Sequence, residues 1–209
     1  ENIRIGGGEI VFDYVSPLGN ISDVQLGVPV AINIENGIAA MALAQLGGVS
    51  NEDIKTGMAS FRGVDRRFDF KIKTDKVVYL SDYAHHPEEI KQSILSMRAL
   101  YEGKKLTGIF QPHLYTRTRD FYQEFADSLS LLDEVILTDI YPARELPIEG
   151  VSSQLIYDNL RPDIDKTLCK KEEVIDILKK KEIEVLMTLG AGDIENYAPQ
   201  ICEILNERC

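Results

Sequence analysis

What this chain lacks narrows it first. No apolar run approaches the roughly 18 residues a membrane-spanning helix needs, and no signal peptide opens it. It has no dense Lys/Arg stripe, and its net charge is −11, which argues against nucleic acid as a partner. Its short basic clusters, Lys104-Lys105, Lys170-Lys171 and Lys179-Lys180-Lys181, read as solvated helix ends and loops. Cysteine is scarce and odd in number: Cys169, Cys202 and Cys209 lack metal-site spacing. They read as reduced thiols of a cytoplasmic protein, without a structural zinc. No G-x-x-x-x-G-K-S/T occurs, so the chain carries no P-loop of its own. Internal repeats and low-complexity linkers are also missing. The chain opens on Glu1 rather than methionine, and a fragment of a longer protein is expected.

The 209 residues, 44% hydrophobic and 27% charged, suffice for one substantial core and a second, smaller one. The first thirty alternate in the manner of strands: Asn2–Ile5, Glu9–Val15 and Val24–Val28. Gly6-Gly7-Gly8 precedes a strand rather than a helix, so it reads as a hairpin turn and not as a phosphate loop. These strands are expected to belong to a sheet whose other members are not in the chain. Two helices follow. One runs from about Asn33 to Leu46 with Ile38, Met41, Ala42 and Gln45 along a face. The other opens on Ser50-Asn51-Glu52-Asp53, similar to a capping box, and runs to about Phe61. Gly63-Val64-Asp65 marks a boundary, with domains expected at 1–64 and 65–209.

Beyond it strand and helix alternate, the sign of an α/β fold with a mostly parallel sheet. Strands are expected at about 67–73, 76–81, 105–110, 134–139, 167–169 and 183–189, and helices near 87–102, 118–131, 152–160, 171–181 and 194–207. The helical stripes Ile90/Ile94/Met97 and Phe121/Phe125/Leu129 read as core faces.

All three histidines lie in two polar runs, Asp82-Tyr83-Ala84-His85-His86-Pro87 and Gln111-Pro112-His113-Leu114-Tyr115-Thr116-Arg117-Thr118. Each run follows an apolar strand and leads into a helix. In an open parallel sheet such strand ends share one edge, where ligands bind. Asp82, just past a buried strand, suits either a ribose diol or a helix cap, although Pro87 at a first helical turn leaves His86 nearer the cap. His85 and His86 are adjacent, so their side chains diverge, poor spacing for one metal. Arg66-Arg67 starts a strand and suits a structural ion pair or an anionic phosphate equally. Tyr141-Pro142-Ala143-Arg144-Glu145 is another strand-end loop on this edge. Gly190-Ala191-Gly192-Asp193-Ile194 forms a strand–turn–helix whose amides can approach a ligand, with too few glycines for a Rossmann cofactor fingerprint.

In order along the chain, these runs resemble the signatures of the Mur ligase family. They are Asn33-x-x-Asn36, Gly63-Val64-x-Arg66-Arg67-Phe68, Asp82–Pro87, Phe110–Thr118, Tyr141–Glu145 and Gly190–Ile194. The resemblance is greatest to members that join L-alanine to UDP-N-acetylmuramate in peptidoglycan precursor synthesis, with ATP and Mg²⁺. It implies the end of a central ATPase domain followed by a Rossmann-like C-terminal domain. The P-loop and the metal ligands would lie in the remainder of the polypeptide, the fragment's natural partner, so that the fragment alone is inactive. It further implies Asn33 and Asn36 at the adenine, Arg67 at the ATP phosphates, Asp82 at the ribose, and Tyr83, His85, His113 and Arg117 around L-alanine. Two positions depart from the family pattern: Ile32 stands where a histidine is usual, and Leu114 where an arginine is frequent. A tripeptide-recycling ligase of the same family, a flavodoxin-like binding module without catalysis, and a histidine-based metal hydrolase are the competing readings.

Overall fold

The computed structural model describes residues 1–208, which divide into two compact units; Cys209 lies outside the described residues. One unit holds Glu1–Asp65 and Ser96–Gly103, the other Arg66–Leu95 and the residues from Lys104 onward.

In the first unit β1 (Arg4–Gly6), β2 (Glu9–Tyr14) and β3 (Ile21–Gln25) form an antiparallel sheet in that order. Gly7 and Gly8, at φ 58° and 78°, occupy the turn between the paired Gly6 and Glu9. Two left-handed residues in succession mark a type I′ hairpin, which glycine alone adopts without cost. The third strand starts at Ile21, earlier than its alternation suggested. A register irregularity between Phe12 and Tyr14 lets Tyr14 pair with Ile21 while Phe12 pairs with Val24, so both β3 residues reach the core.

Helices α1 (Ile32–Leu46) and α2 (Asn51–Ser60) follow. Ser50 caps α2, its hydroxyl accepting from the Asp53 N–H at 3.2 Å. The inward face of α1 holds Met41 as expected, but not Ile38. Gly37 and Met41 are buried, while Ile38 is 42% exposed. The cause lies in α2, where Met58 sits so close that a methyl group at Gly37 would stand 2.6 Å from its Cε. Gln45 is used elsewhere, donating to Gly19 O at 3.1 Å and accepting from Ser16 Oγ at 2.7 Å.

The second unit contains β4 (Asp69–Lys73), β5 (Val78–Asp82), the part of α3 (Pro87–Leu100) up to Leu95, β6 (Leu106–Phe110), α4 (Tyr115–Leu129), β7 (Glu134–Leu137), α5 (Gln154–Asn159), β8 (Asp165–Leu168), α6 (Val174–Lys179), β9 (Val185–Leu189) and α7 (Ala198–Asn206). Single 3₁₀ turns, Lys171–Glu173 and Ile194–Tyr197, lead into α6 and α7. The sheet order is β4-β5-β9-β6-β7-β8. Only β4 runs antiparallel to its neighbour; the other strands are parallel. This is the mostly parallel α/β sheet expected.

Residues of β6, β7 and β9 are buried throughout, the pattern of strands covered on both faces. Their ends are flush: Leu189 pairs with Asp82 on one side and with Phe110 on the other, and Phe110 pairs with Leu137. Four loops therefore leave the sheet at one level. At the opposite edge the Glu134 side chain is 1% exposed and ion-paired to Lys181 and, at 2.9 Å, to Lys105. Thr107 Oγ1 donates to it at 3.1 Å. Burial alone would raise its pKa; the two lysines outweigh that and hold it below the usual carboxylate value.

Cys169 and Cys202 are unpaired thiols, and burial pushes Cys169 up to about 11. Among the described residues no helix is long and apolar enough to cross a membrane.

Candidate functional site

The β5 exit supplies the first group of side chains. Asp82 ends the strand, and its Oδ1 accepts from the N–H groups of Phe68 and Ala84, each at 3.3 Å. Its Oδ2 accepts from Ser93 Oγ. Burial raises its pKa against the pull of those donors. A carboxylate has about four acceptor positions, so Asp82 keeps room for one further donor, on Oδ2. Through Phe68 N, Asp82 ties the Arg66–Phe68 segment to the strand end.

His86 precedes α3, and its carbonyl accepts from Ile90 N at 3.0 Å. Glu89 reaches back to the N–H groups of His85 at 3.0 Å and His86 at 3.1 Å. Burial would raise the Glu89 pKa, but those N–H donors and the nearby imidazoles lower it overall, and a carboxylate is stabilised at a helix N-terminus.

The β6 exit supplies the second group. His113 stacks on Tyr141, centroids 5.6 Å apart, and its Nδ1 lies 3.4 Å from Arg117 Nη1. A one-residue parallel bridge joins His113 to Tyr141, so the β6–β7 pairing resumes beyond the strands proper. His85 meets His113 edge-on at 6.2 Å and Tyr83 edge-on at 5.2 Å, while its Nδ1 lies 3.0 Å from Tyr83 O. Tyr83, His85, His113 and Arg117 therefore form one continuous rim. The His113 pKa is lowered, chiefly by burial and further by the charges of Arg117 and His85.

Helix α4 starts three residues earlier than its apolar pattern suggested, which brings Arg117 into the first turn. The reason is remote in sequence. Leu114, at φ 74°, offers no side-chain cap; instead Glu145 accepts from Thr116 N at 3.0 Å and from Thr116 Oγ1. Those bonds hold the Glu145 pKa down. Phe121, expected in the core face of α4, sits at a kink with non-helical φ −128°. It is half-buried, with its ring edge-on to His86 at 5.1 Å.

Arg66 and Arg67 precede β4 rather than starting it. Arg66, at φ 67°, places its guanidinium 4.8 Å over the Tyr83 ring and donates to Gly192 O at 3.2 Å. Its buried Nε has no hydrogen-bond partner among the described residues. Arg67 is exposed and makes no ion pair among the described residues. Left-handed non-glycine residues at Arg66, Phe68, Leu114 and Ala143 all border these loops. Each such conformation costs about 1–3 kcal/mol, and this kind of strain concentrates at functional sites.

The β9 exit differs from its sequence reading. The Gly190–Asp193 turn is followed by a 3₁₀ turn, and the Ile194 N–H is taken by Gln111 Oε1 at 3.0 Å, so that amide is not free for a ligand. In the first unit, Asn33 Nδ2 donates to Val28 O at 3.2 Å and Asn36 Nδ2 to Asn33 Oδ1 at 3.2 Å; Asn36 is exposed. Among the described residues no three His, Cys, Asp or Glu side chains cluster as metal ligands. These residues do not fit a bound Mg²⁺.

A histidine- and arginine-bearing rim at the strand-end edge of a mostly parallel sheet defines a class. Residues 66–194 match the family model "Mur ligase, glutamate ligase domain", and the chain belongs to the Mur ligase family. Within it, the chain is 78% identical over 208 residues to the UDP-N-acetylmuramate--L-alanine ligase of Phocaeicola vulgatus, covering 100% of this chain and 45% of that protein. It is 61% identical to the enzyme so named in Parabacteroides distasonis, over 98% of this chain and 44% of the relative. The solved UDP-N-acetylmuramate-alanine ligase MurC of Thermotoga maritima superposes with a TM-score of 0.79 at 25% identity, over 100% of this chain and 46% of that one. Folylpolyglutamate synthase from the same organism shares the fold, with a TM-score of 0.71 at 16% identity. The chain thus spans less than half the length of the curated relatives it matches.

Proposed function

We propose that this chain is the second half of an ATP-dependent ligase that joins L-alanine to UDP-N-acetylmuramate through an acyl phosphate. The rim of Tyr83, His85, His113 and Arg117 carries the reading, in a chain so similar to enzymes named for that reaction. The first unit is read as the end of a central ATP-binding domain. Its α1 leaves Leu43 71% and Leu46 73% exposed, as expected of a helix with a further packing partner.

In this reading the muramoyl carboxylate takes the γ-phosphate of ATP, the alanine amine attacks the acyl carbon, and phosphate leaves. Arg117 is the group for the alanine carboxylate: it lies in the first turn of α4, and a guanidinium fork matches a carboxylate in two hydrogen bonds. Fixing the carboxylate aims the amine, chiefly a positioning effect. His113, its pKa lowered by burial and by the charges of Arg117 and His85, lines the pocket beside Arg117. Tyr83 and His85 close the pocket around a small side chain. Arg67, exposed and without an ion-pair partner among the described residues, is the cation for ATP phosphate oxygens; Asn33 and Asn36 are assigned to the adenine and the open position on Asp82 Oδ2 to the ribose.

The test uses the intact polypeptide and residues 1–209 alone, each with ATP, UDP-N-acetylmuramate and L-alanine. Alanine-dependent phosphate release by the intact protein, and none by the fragment, is expected. Release with a cell-wall tripeptide but not with alanine would shift the assignment to a recycling ligase. Release by neither acceptor would refute the ligase reading.

A further inference from the structure

Gln111 sits where three strand-end loops meet. Its side chain belongs to a residue only 2% exposed, and a buried amide is tolerated when both its ends are bonded. Both are. Nε2 donates to Asp193 Oδ1 at 2.8 Å, and Oε1 accepts from Ile194 N at 3.0 Å. Its own N–H donates to Leu189 O at 3.1 Å, carrying the β6–β9 ladder past the strand ends. The other Asp193 oxygen is ion-paired to Lys171.

The glycines opposite follow from this contact. A methyl group at Gly190 would stand 2.6 Å from the Gln111 carbonyl oxygen. One at Gly192 would collide with Gln111 Oε1 and lie 2.8 Å from Tyr141 Cβ. Tyr141 in turn is the ring on which His113 stacks, and its N–H donates to Pro112 O at 2.8 Å. Gly192 O is the acceptor that holds Arg66 over Tyr83. The Gly190–Asp193 turn thus lies between the Gln111 amide on one side and Tyr141 and Arg66 on the other. Both Gln111 side-chain polar atoms already have protein partners, and the residue is buried.

We propose that Gln111 is a positioning residue for the amino-acid end of the site: by clasping Asp193 and Ile194 it wedges the Gly190–Asp193 turn against Tyr141 and so sets the place of the His113 imidazole. The inference rests on the alanine-adding reading above. Attack by an amine needs its partners in near-attack geometry, and small displacements there cost large factors in rate.

The test compares two variants of the intact enzyme. Gln111→Glu sets a second carboxylate against Asp193 and removes the donor. Gln111→Glu with Asp193→Asn reverses the bond, the asparagine donating and the glutamate accepting, with the wild-type number of acidic groups. Gln111→Glu is expected to lower kcat/KM for L-alanine by at least about tenfold, with the KM for UDP-N-acetylmuramate within about twofold of wild type; the reversed pair should recover most of the loss.

A Gln111→Glu enzyme with unaltered alanine kinetics would overturn the proposal. So would an equal rise in both KM values, or a reversed pair that unfolds at the wild-type temperature yet stays as impaired as the single variant. If Gln111→Glu does not fold, the reversed pair decides alone: near-wild-type alanine kinetics support the proposal and impaired ones overturn it. An active wild type with an indifferent Gln111→Glu removes only this inference, whereas an inactive wild type removes the ligase reading beneath it as well.

Discussion

Glu134 offers a direct test of what holds the second unit together. Its side chain is 1% exposed between Lys181 and Lys105, which are 22% and 43% exposed. Glu134→Gln keeps the shape and removes the charge. Breaking a fully buried ion pair by deleting one partner costs roughly 3–5 kcal/mol. Here Lys105 is exposed enough to turn to water, and Thr107 still finds an acceptor in the amide, so about 2–3 kcal/mol is the expected loss. For a chain of this size that is a fall of roughly 4–12 °C in Tm. The sign with pH follows from the lowered pKa of Glu134. In the unfolded chain the group titrates at about 4.3; in the folded one it does so lower. Its stabilisation is therefore complete above the unfolded value and lost as pH falls through the folded value. Thermal unfolding followed by far-UV circular dichroism from pH 7 to pH 3 should show a gap between wild type and variant that narrows below about pH 4.3. A constant gap over that range, or no gap at pH 7, would refute the account of Glu134.

Two further expectations concern the rim. Arg117→Ala in the intact enzyme should raise the alanine requirement by roughly 10- to 100-fold, the loss of one charge-assisted contact, while sparing the sugar nucleotide; it should also move the His113 titration upward, read by NMR of the imidazole, because Arg117 is one cause of its lowered pKa. An unchanged alanine response, or a His113 titration that stays put, counts against the assignment. Glu145→Ala removes the acceptor for Thr116 at the start of α4 and should speed amide exchange over Tyr115–Arg117; equal protection in both proteins would show that the helix start needs no such cap.

Much of this architecture was legible along the chain. Alternating strand and helix dictates that the strand ends leading into helices share one edge, so the placing of His85 and His113 on that edge followed from order, while their approach to 6.2 Å did not. The hairpin at Gly7-Gly8 and the cap at Ser50 were local matters too, because short-range steric and hydrogen-bonding rules decide them. Less accessible were the roles that depend on a partner far away in sequence. Nothing near Tyr115 announces that Glu145 will start its helix, and nothing near Gly37 announces Met58. Arg66 and Arg67 are neighbours of the same chemistry, and only the left-handed turn at Arg66 sends one guanidinium onto Tyr83 and leaves the other in solvent.

Residue order, then, settles the mostly parallel α/β class, the edge that bears the polar loops and the residue types available there, since periodicity and turn chemistry act over a few residues at a time. Tertiary structure alone places β9 between β5 and β6, aligns four strand ends at Asp82, Leu189, Phe110 and Leu137, and brings Gln111 against Asp193 and Ile194. Those outcomes rest on hydrogen-bond ladders and close packing between segments some eighty residues apart, which no local pattern specifies.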